Sequence, residues 1–343
     1  MKRALVTGGL GFIGSNLTKR LLSTGWNVTV FDNFSRVGVK ANLEWLRDGS
    51  NADHLTVIRG DVRDSATVTK AVHNVDAIFH LAGQVAATKS ITDPRLDFET
   101  NTIGTFNVLE AVRSCSSPPF ILFTSTNKVY GDLSYIPIEE LTKRYSYADG
   151  RAGISETEPL NFHSPYGCSK GAADQYVRDY AWIYGLSTAV FRMSAIYGPR
   201  QFGTEDQGWV AYFCIQAFLQ RKVGLYGVGK QVRDILYIDD LLNAFEAAYQ
   251  HRDESQGEIF NIGGGQGNTL SILELFDLLE ELSGYRMEWE TIGSRPGDQM
   301  IYVSDISKIR RSLEWQPMVT PKEGVEQLYK WIVSNANLFH EGE

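Results

Sequence analysis

Cysteine is scarce in this chain of 343 residues: Cys115, Cys168 and Cys214 are its three. An odd, sparse set with no CxxC pair excludes a disulfide framework and points to reduced thiols in a cytoplasmic protein. The six histidines show no metal-ligand spacing, so no metal site is expected. Uninterrupted apolar runs of about 18 residues are lacking, which argues against a membrane-spanning helix. Glycines in the opening stretch MKRALVTGGLGFIG come too early for the apolar core of a secretory signal. Basic residues are outnumbered, with 33 Lys and Arg against 41 Asp and Glu and a net charge of −8. That balance argues against duplex nucleic acid or an anionic membrane surface as the main partner. A small anionic ligand stays open, because it needs only a few local cations. Repeats and low-complexity tracts are missing too.

What is there reads as a folded α/β protein. The chain is 43% hydrophobic and 22% charged, and long enough for two domains. Short apolar runs at Ala4–Thr7, Val28–Phe31, Leu55–Ile58, Ala77–Leu81, Phe120–Phe123 and Ser187–Phe191 read as strands. Helical spacing fills Phe12–Leu22, with Gly25 as its stop, and recurs over about 97–113 and 166–184. Strands alternating with helices predict a Rossmann-type, doubly wound parallel sheet covered on both faces. Residues 1–190 are expected to form this domain, with a polar insertion near 133–164 of the kind that is often functional. Residues 191–343 are expected to form mainly a smaller mixed α/β lobe, interleaved with the end of the first domain. Its segments include Val232–Tyr237, Ile259–Ile262 and helices near 208–220, 239–250, 271–283 and 322–335.

Two local patterns carry chemistry. Gly8, Gly11 and Gly14 form GxxGxxG between the first strand and the first helix. Such glycines let the backbone turn sharply and approach a pyrophosphate at the helix N-terminus. Asp32 stands at the end of the second strand, where a carboxylate accepts from the ribose hydroxyls of a dinucleotide and repels a 2′-phosphate. NAD is therefore expected over NADP, although Arg36 nearby could accommodate that phosphate. Second, Tyr166 and Lys170 lie at i and i+4 on a helix, on one face. A lysine charge beside a phenol favours the phenolate and lowers its pKa, giving an acid/base that exchanges a proton with a sugar hydroxyl. Thr126, at the end of the fifth strand, can support the reacting oxygen or merely terminate the strand.

Together with Asp61-Val62, Leu81-Ala-Gly83 and Tyr197-Gly-Pro-Arg200, these motifs resemble the extended short-chain dehydrogenase/reductase family of nucleotide-sugar epimerases and dehydratases. The resemblance covers essentially the whole chain. It includes Gly229–Asp234, Phe260–Gly264 and Ser294–Asp298 in the smaller lobe. It implies Tyr166 as acid/base, Lys170 on the nicotinamide ribose and Thr126 on the sugar hydroxyl. It implies a coenzyme site drawn from Gly8, Gly11, Phe12, Ile13, Gly14, Asp32, Asn33, Ser35, Arg36, Leu81, Ala82, Gly83 and Gln84, with Asp61 and Val62 flanking the adenine. Arg233 and Arg295 would clamp the substrate's diphosphate, a task suited to guanidinium forks.

Dehydratases of this family carry Asp-Glu after the Ser or Thr; here Asn127-Lys128 stand there, which disfavours water elimination. Epimerisation through a transient ketone remains. The stretches His80–Ala86, Ser125–Asp132, Phe162–Tyr176 and Asp206–Val210 are similar to a branch that inverts C2 of a CDP-linked 3,6-dideoxyhexose for surface polysaccharide such as O-antigen. Gln84, Ser90, Asn127, Gln207, Trp209 and Val210 are its candidate substrate contacts; Trp209 either lines the base pocket or sits in a helix core. UDP-glucose 4-epimerase chemistry shares every catalytic residue, and a silent NAD-binding scaffold is the alternative of another class. The family commonly pairs two helices per subunit, here 97–113 and 166–184, so a homo-oligomer (dimer or tetramer) is expected.

Overall fold

A computed structural model describes residues 1–49, 51–293 and 298–339. All six anticipated strands enter the main sheet, the first five as β1 (Arg3–Thr7), β2 (Asn27–Asp32), β3 (Leu55–Arg59), β4 (Ala77–His80) and β5 (Phe120–Thr126). They are followed by β6 (Thr188–Met193) and β7 (Glu258–Ile262). The seven strands lie in the order β7-β6-β5-β4-β1-β2-β3, and every pairing is parallel. β4 and β5 are buried along their whole length, as a sheet covered on both faces requires. Order reverses between β1 and β4, so a crevice opens beyond their carboxyl ends, where ligands bind in such sheets.

Helix α1 (Phe12–Ser23) follows the glycine loop, and Gly25 ends it in the left-handed region at φ 82°. The 97–113 stretch is less regular than its sequence suggests. It breaks into Pro94–Phe98, a π turn at Glu99–Ile103, and helix α2 (Gly104–Arg113). Helix α3 (Ser164–Tyr184) carries Tyr166 and Lys170.

Beyond β6 the chain builds the smaller lobe. Val232–Tyr237 is its central strand, antiparallel to Thr269–Ser271 and parallel to Ala195–Tyr197 and Ile301–Tyr302. Helices Trp209–Phe218, Ile272–Ser283 and Pro321–Ser334 cover it, the last two opened by capping boxes from Ser271 with Glu274 and Thr320 with Glu323. Between these pieces the chain returns to the main sheet. Helix Ile238–Gln250 lays Phe245 against Phe79 of β4 and Phe191 of β6, and β7 then extends the sheet. The 133–164 insertion is a strap. Its short hairpin pairs Ile138–Glu140 with Tyr145–Tyr147, and Ile154 bridges to Ser304 of the lobe. Among the described residues no helix is long and apolar enough to cross a membrane.

Candidate active site

The crevice at the sheet's carboxyl edge is a cleft of about 900 Å³ between the glycine loop and the lobe. Its floor follows from the loop. Gly8 turns at φ 69°, which favours glycine, and its backbone abuts Ala82. Gly14 is packed against the same turn, since a Cβ there would sit 2.2 Å from the Gly8 carbonyl oxygen. Gly11 differs: its Cβ position meets only that oxygen, at 3.3 Å, and faces the cleft. Gly11 is also the N-cap of α1 and no side chain caps it. The first-turn N–H groups therefore stay available to an anion.

Asp32 ends β2 at the cleft, with Leu10 and Phe34 N–H groups donating to its carboxylate at 3.0 and 2.8 Å. Burial raises its pKa and those two bonds oppose the rise. Phe12, Ile13, Asn33, Ser35, Arg36, Val62, Leu81, Ala82, Gly83 and Gln84 line the same cleft. Arg36 reaches across it and donates to Gln207 Oε1 of the lobe at 2.5 Å. Asp61 is set back: Arg63 grips it at 2.9 Å and Asn33 donates at 3.1 Å, holding it down at about 2.

The reactive end lies between β5 and α3. Thr126, Asn127 and Tyr166 line the cleft together, and the Thr126 hydroxyl, which donates to Asn127 Oδ1 at 3.3 Å, lies beside the Tyr166 phenol. Lys170 lies beneath them, donating to the Thr124 carbonyl at 2.5 Å with its ammonium 4.1 Å from the Phe123 ring centre. The sequence predicts a phenol lowered by its lysine; the structure corrects this. Burial dominates both groups, pushing Tyr166 up to about 12 and Lys170 down to about 7. What lowers the phenol in this state is the Thr126 hydroxyl.

The remaining candidates divide. Gln207, Trp209, Val210 and Arg233 line the cleft from the lobe. The Trp209 indole N–H is buried with no partner among the described residues. Arg233 donates to Asp298 at 2.8 Å, and Lys128 pairs with the same carboxylate at 3.5 Å. Asn127 donates to Gln299 at 3.2 Å. The amide of Gln84 is turned inward, bonded to Ala86 and Asp97. Ser90 is buried: it donates to Ala87 and accepts from the Tyr166 N–H. Arg295 lies outside the described residues. The insertion contributes only Ser164 to the described lining.

Sequence reasoning missed the shell beneath the tyrosine. Asp97, Asn101 and Ser169 form one buried hydrogen-bonded group there. The signal was a polar pair on an inward stripe, since Asp97 and Asn101 run on into buried Thr105, Val108 and Val112.

Known proteins place this geometry. A family model described as GDP-mannose 4,6 dehydratase matches residues 5–328. CDP-paratose 2-epimerase of Salmonella typhi is 46% identical over 339 residues, 97% of this chain and 99% of its own. A crystal structure of UDP-glucuronic acid 4-epimerase from Bacillus cereus, in complex with UDP-glucuronic acid and NAD, is similar at TM-score 0.83 and 27% identity, covering 97% of this chain and 99% of that one. The dTDP-glucose 4,6-dehydratase DesIV from Streptomyces venezuelae, with NAD and TYD bound, gives TM-score 0.83 at 28% identity over 98% and 99%. With its glycine turn, Asp32 at the end of β2 and a buried Tyr166–Lys170 pair on α3 at the edge of one parallel sheet, the chain belongs to the family of GDP-mannose 4,6 dehydratase, the epimerases and dehydratases of the extended short-chain dehydrogenase/reductase type.

Proposed function

We propose that this chain is an NAD-dependent epimerase that inverts C2 of CDP-paratose to give CDP-tyvelose. The observation that carries the reading is the Thr126–Tyr166–Lys170 group at the end of a dinucleotide cleft, beside Asn127-Lys128 where elimination would need acids. The Salmonella typhi relative supports the choice of sugar.

The cleft fits the coenzyme. Gly11 would leave a pyrophosphate its approach, the uncapped α1 terminus would meet its charge, and Asp32 would accept from the ribose hydroxyls. Bound there, NAD supplies a reversible hydride acceptor whose positive ring favours the nearby phenolate. The chain's own residues move the proton. Tyr166 Oη takes it from the C2 hydroxyl and returns it after the sugar has presented its other face. Thr126 holds the phenol and the hydroxyl in line. Lys170 lies under the pair, where its protonated form would be the cation that steadies the phenolate once it forms. Arg233 and Trp209 bind the nucleotide end from the lobe, Arg233 exchanging Asp298 for the diphosphate. Oxidation and re-reduction balance, so no net redox change results.

A homo-oligomer belongs to the same reading. The Glu99–Ile103 turn, α2 and α3 expose Ile103, Phe106, Tyr176, Trp182 and Ile183, two of them 65% accessible, along a shared ridge. Light scattering tests it; a monomer at working concentration would remove it.

Proton NMR of the protein with CDP-paratose and NAD tests the reaction. C1 and C2 signals shifting from gluco to manno configuration, without accumulating NADH, is the expected result. UDP-galactose converted instead would move the chemistry to C4. NAD bound with no sugar nucleotide turned over would leave a silent scaffold.

A further inference from the structure

Asp97 is wholly buried, yet it is an acid on the inward stripe of an otherwise ordinary helix. Three side chains from three elements donate to it. The Ser169 hydroxyl of α3 binds Oδ2 at 2.5 Å, and Gln84 Nε2 from the loop after β4 binds Oδ1 at 2.9 Å. Asn101 Nδ2 of the π turn reaches the same Oδ1 at 3.2 Å, while also bonding Ser169 Oγ at 3.1 Å and the Gln84 carbonyl at 3.0 Å. All of these bonds come from donors, an arrangement that suits an anion. Ser169 lies between Tyr166 and Lys170 in the chain. The carboxylate therefore sits directly behind the reactive pair, and the π turn is what brings Asn101 and Asp97 to bear on it.

Resting on the Tyr166–Lys170 reading above, we propose that Asp97 is a positioning residue: a fixed buried negative charge, hydrogen-bonded to Ser169, that locks α3 to the coenzyme loop and sets the charge balance of the Tyr166–Lys170 pair. Its field acts on both partners in the same sense, favouring the Lys170 ammonium and opposing the Tyr166 phenolate. The other ionisable groups around it are accounted for. Asp174, further along α3, is paired with Arg192. His80 on β4 is buried between Thr7 and Thr105. Lys89, on the adjoining Ala87–Thr92 helix, faces the cleft. Arg95 and Glu99 pair with each other at 3.4 Å at the surface.

The test separates charge from scaffolding. Asp97→Asn removes the charge, and Ser169→Ala removes one hydrogen bond while the charge stays. For Asp97→Asn, both limbs of the pH–rate profile should move to lower pH by roughly one unit, because Tyr166 then ionises more readily and Lys170 loses its proton sooner. Ser169→Ala should lower the rate and leave both limbs where they were. A second readout needs no turnover: in protein loaded with NAD and labelled with 13C at lysine Cε, the Lys170 signal, assigned by its loss in Lys170→Arg, should titrate near neutrality and fall by roughly one unit in Asp97→Asn. If wild type turns over no sugar nucleotide, the epimerase reading fails and the lysine titration alone decides this one. Should Asp97→Asn not fold, Asp97→Ser, which leaves room for a water among the same donors, carries the same expectation. A folded neutral variant with an unmoved Lys170 midpoint overturns the proposal, as does a rate lost equally at every pH.

Discussion

Two glycines three residues apart should fail in different ways. At Gly14 an added methyl carbon would lie 2.2 Å from the Gly8 carbonyl oxygen and 2.6 Å from Gly9 Cα. Both are backbone, and Gly8 cannot retreat because it already abuts Ala82. Overpacking of this kind costs about 1–3 kcal/mol, and the upper end applies where no flexible side chain can yield. Alanine returns up to about 1 kcal/mol as the better helix former. Gly14→Ala should therefore lose about 2 kcal/mol, which for a chain of this length is a melting point lower by about 3 °C, before any ligand is added. At Gly11 the backbone is ordinary for any residue, φ −68° and ψ 179°, and the nearest atom is 3.3 Å away. Gly11→Ala should keep the stability of the coenzyme-free protein to within about 0.5 kcal/mol. Its methyl instead stands where the pyrophosphate approaches, so NAD affinity should fall tenfold or more, about 1.4 kcal/mol. Differential scanning fluorimetry with and without NAD, together with calorimetric titration, reads both. A Gly11→Ala protein that binds NAD like wild type, or a Gly14→Ala protein with an unchanged melting point, would refute the assignment of these roles.

Tyr166→Phe should fold and bind NAD while losing about 10²–10⁴-fold in turnover, read by the same NMR conversion. Asp174→Ala strands Arg192, whose guanidinium, 3% exposed, now makes two bonds to that carboxylate at 2.8 and 3.0 Å. About 3–5 kcal/mol should go, a fall of melting point of about 4–7 °C. His80 gives the acid side of stability: Thr105 donates to Asn101, so His80 donates Nε2–H to Thr105 and accepts from Thr7, a neutral ring pushed down to about 3 by burial. The unfolded chain takes up that proton below about pH 6.5, so stability is full above it and declines as pH falls from there toward the folded value. His80→Gln should flatten the fall in melting point between about pH 6.5 and 5, and an unchanged slope would show the ring is not its source.

The legible parts of this molecule are those whose physics is local. Each strand from Ala4 to Phe191 was an apolar run between turn residues, and GxxGxxG followed by Asp32 fixes a turn, a helix start and a strand end within one βαβ unit. The Tyr166–Lys170 pair needed only helical spacing. β7 was visible as the apolar run Ile259–Ile262, but its place beside β6 depends on pairing Phe260 with Phe191, which no local pattern encodes. Ionisation was misread for the same reason. Adjacent charges in sequence predict a lowered phenol, whereas burial, known only once α3 is docked on β5, pushes Tyr166 the other way. Asp97 showed in the sequence only as a polar residue on an inward stripe; that Ser169 and Gln84 meet it depends on how α3 and the loop after β4 dock.

The same distinction bears on which reaction the cleft can run. Losing the Asp-Glu pair after Thr126 excludes little by itself, since another acid could be brought in from the lobe. The lobe brings Glu205, Asp206 and Asp298 to the cleft lining, and Asp298, the one tied to Lys128, is held by Arg233 at 2.8 Å and Lys128 at 3.5 Å. When Arg233 turns to the diphosphate, Lys128 stays beside that carboxylate and favours its charged form, so Asp298 is a poor proton donor to a leaving hydroxyl. Asn127, at the other lost position, spends its amide on Gln299, which in turn donates to the Gly131 carbonyl at 2.7 Å. Both positions have become ties between the end of β5 and the lobe. What the cleft keeps beside Thr126 is the Tyr166 phenol, able to pass a proton to and from a sugar hydroxyl. With a hydride acceptor beside it, that suffices for oxidation and return but not for expelling water.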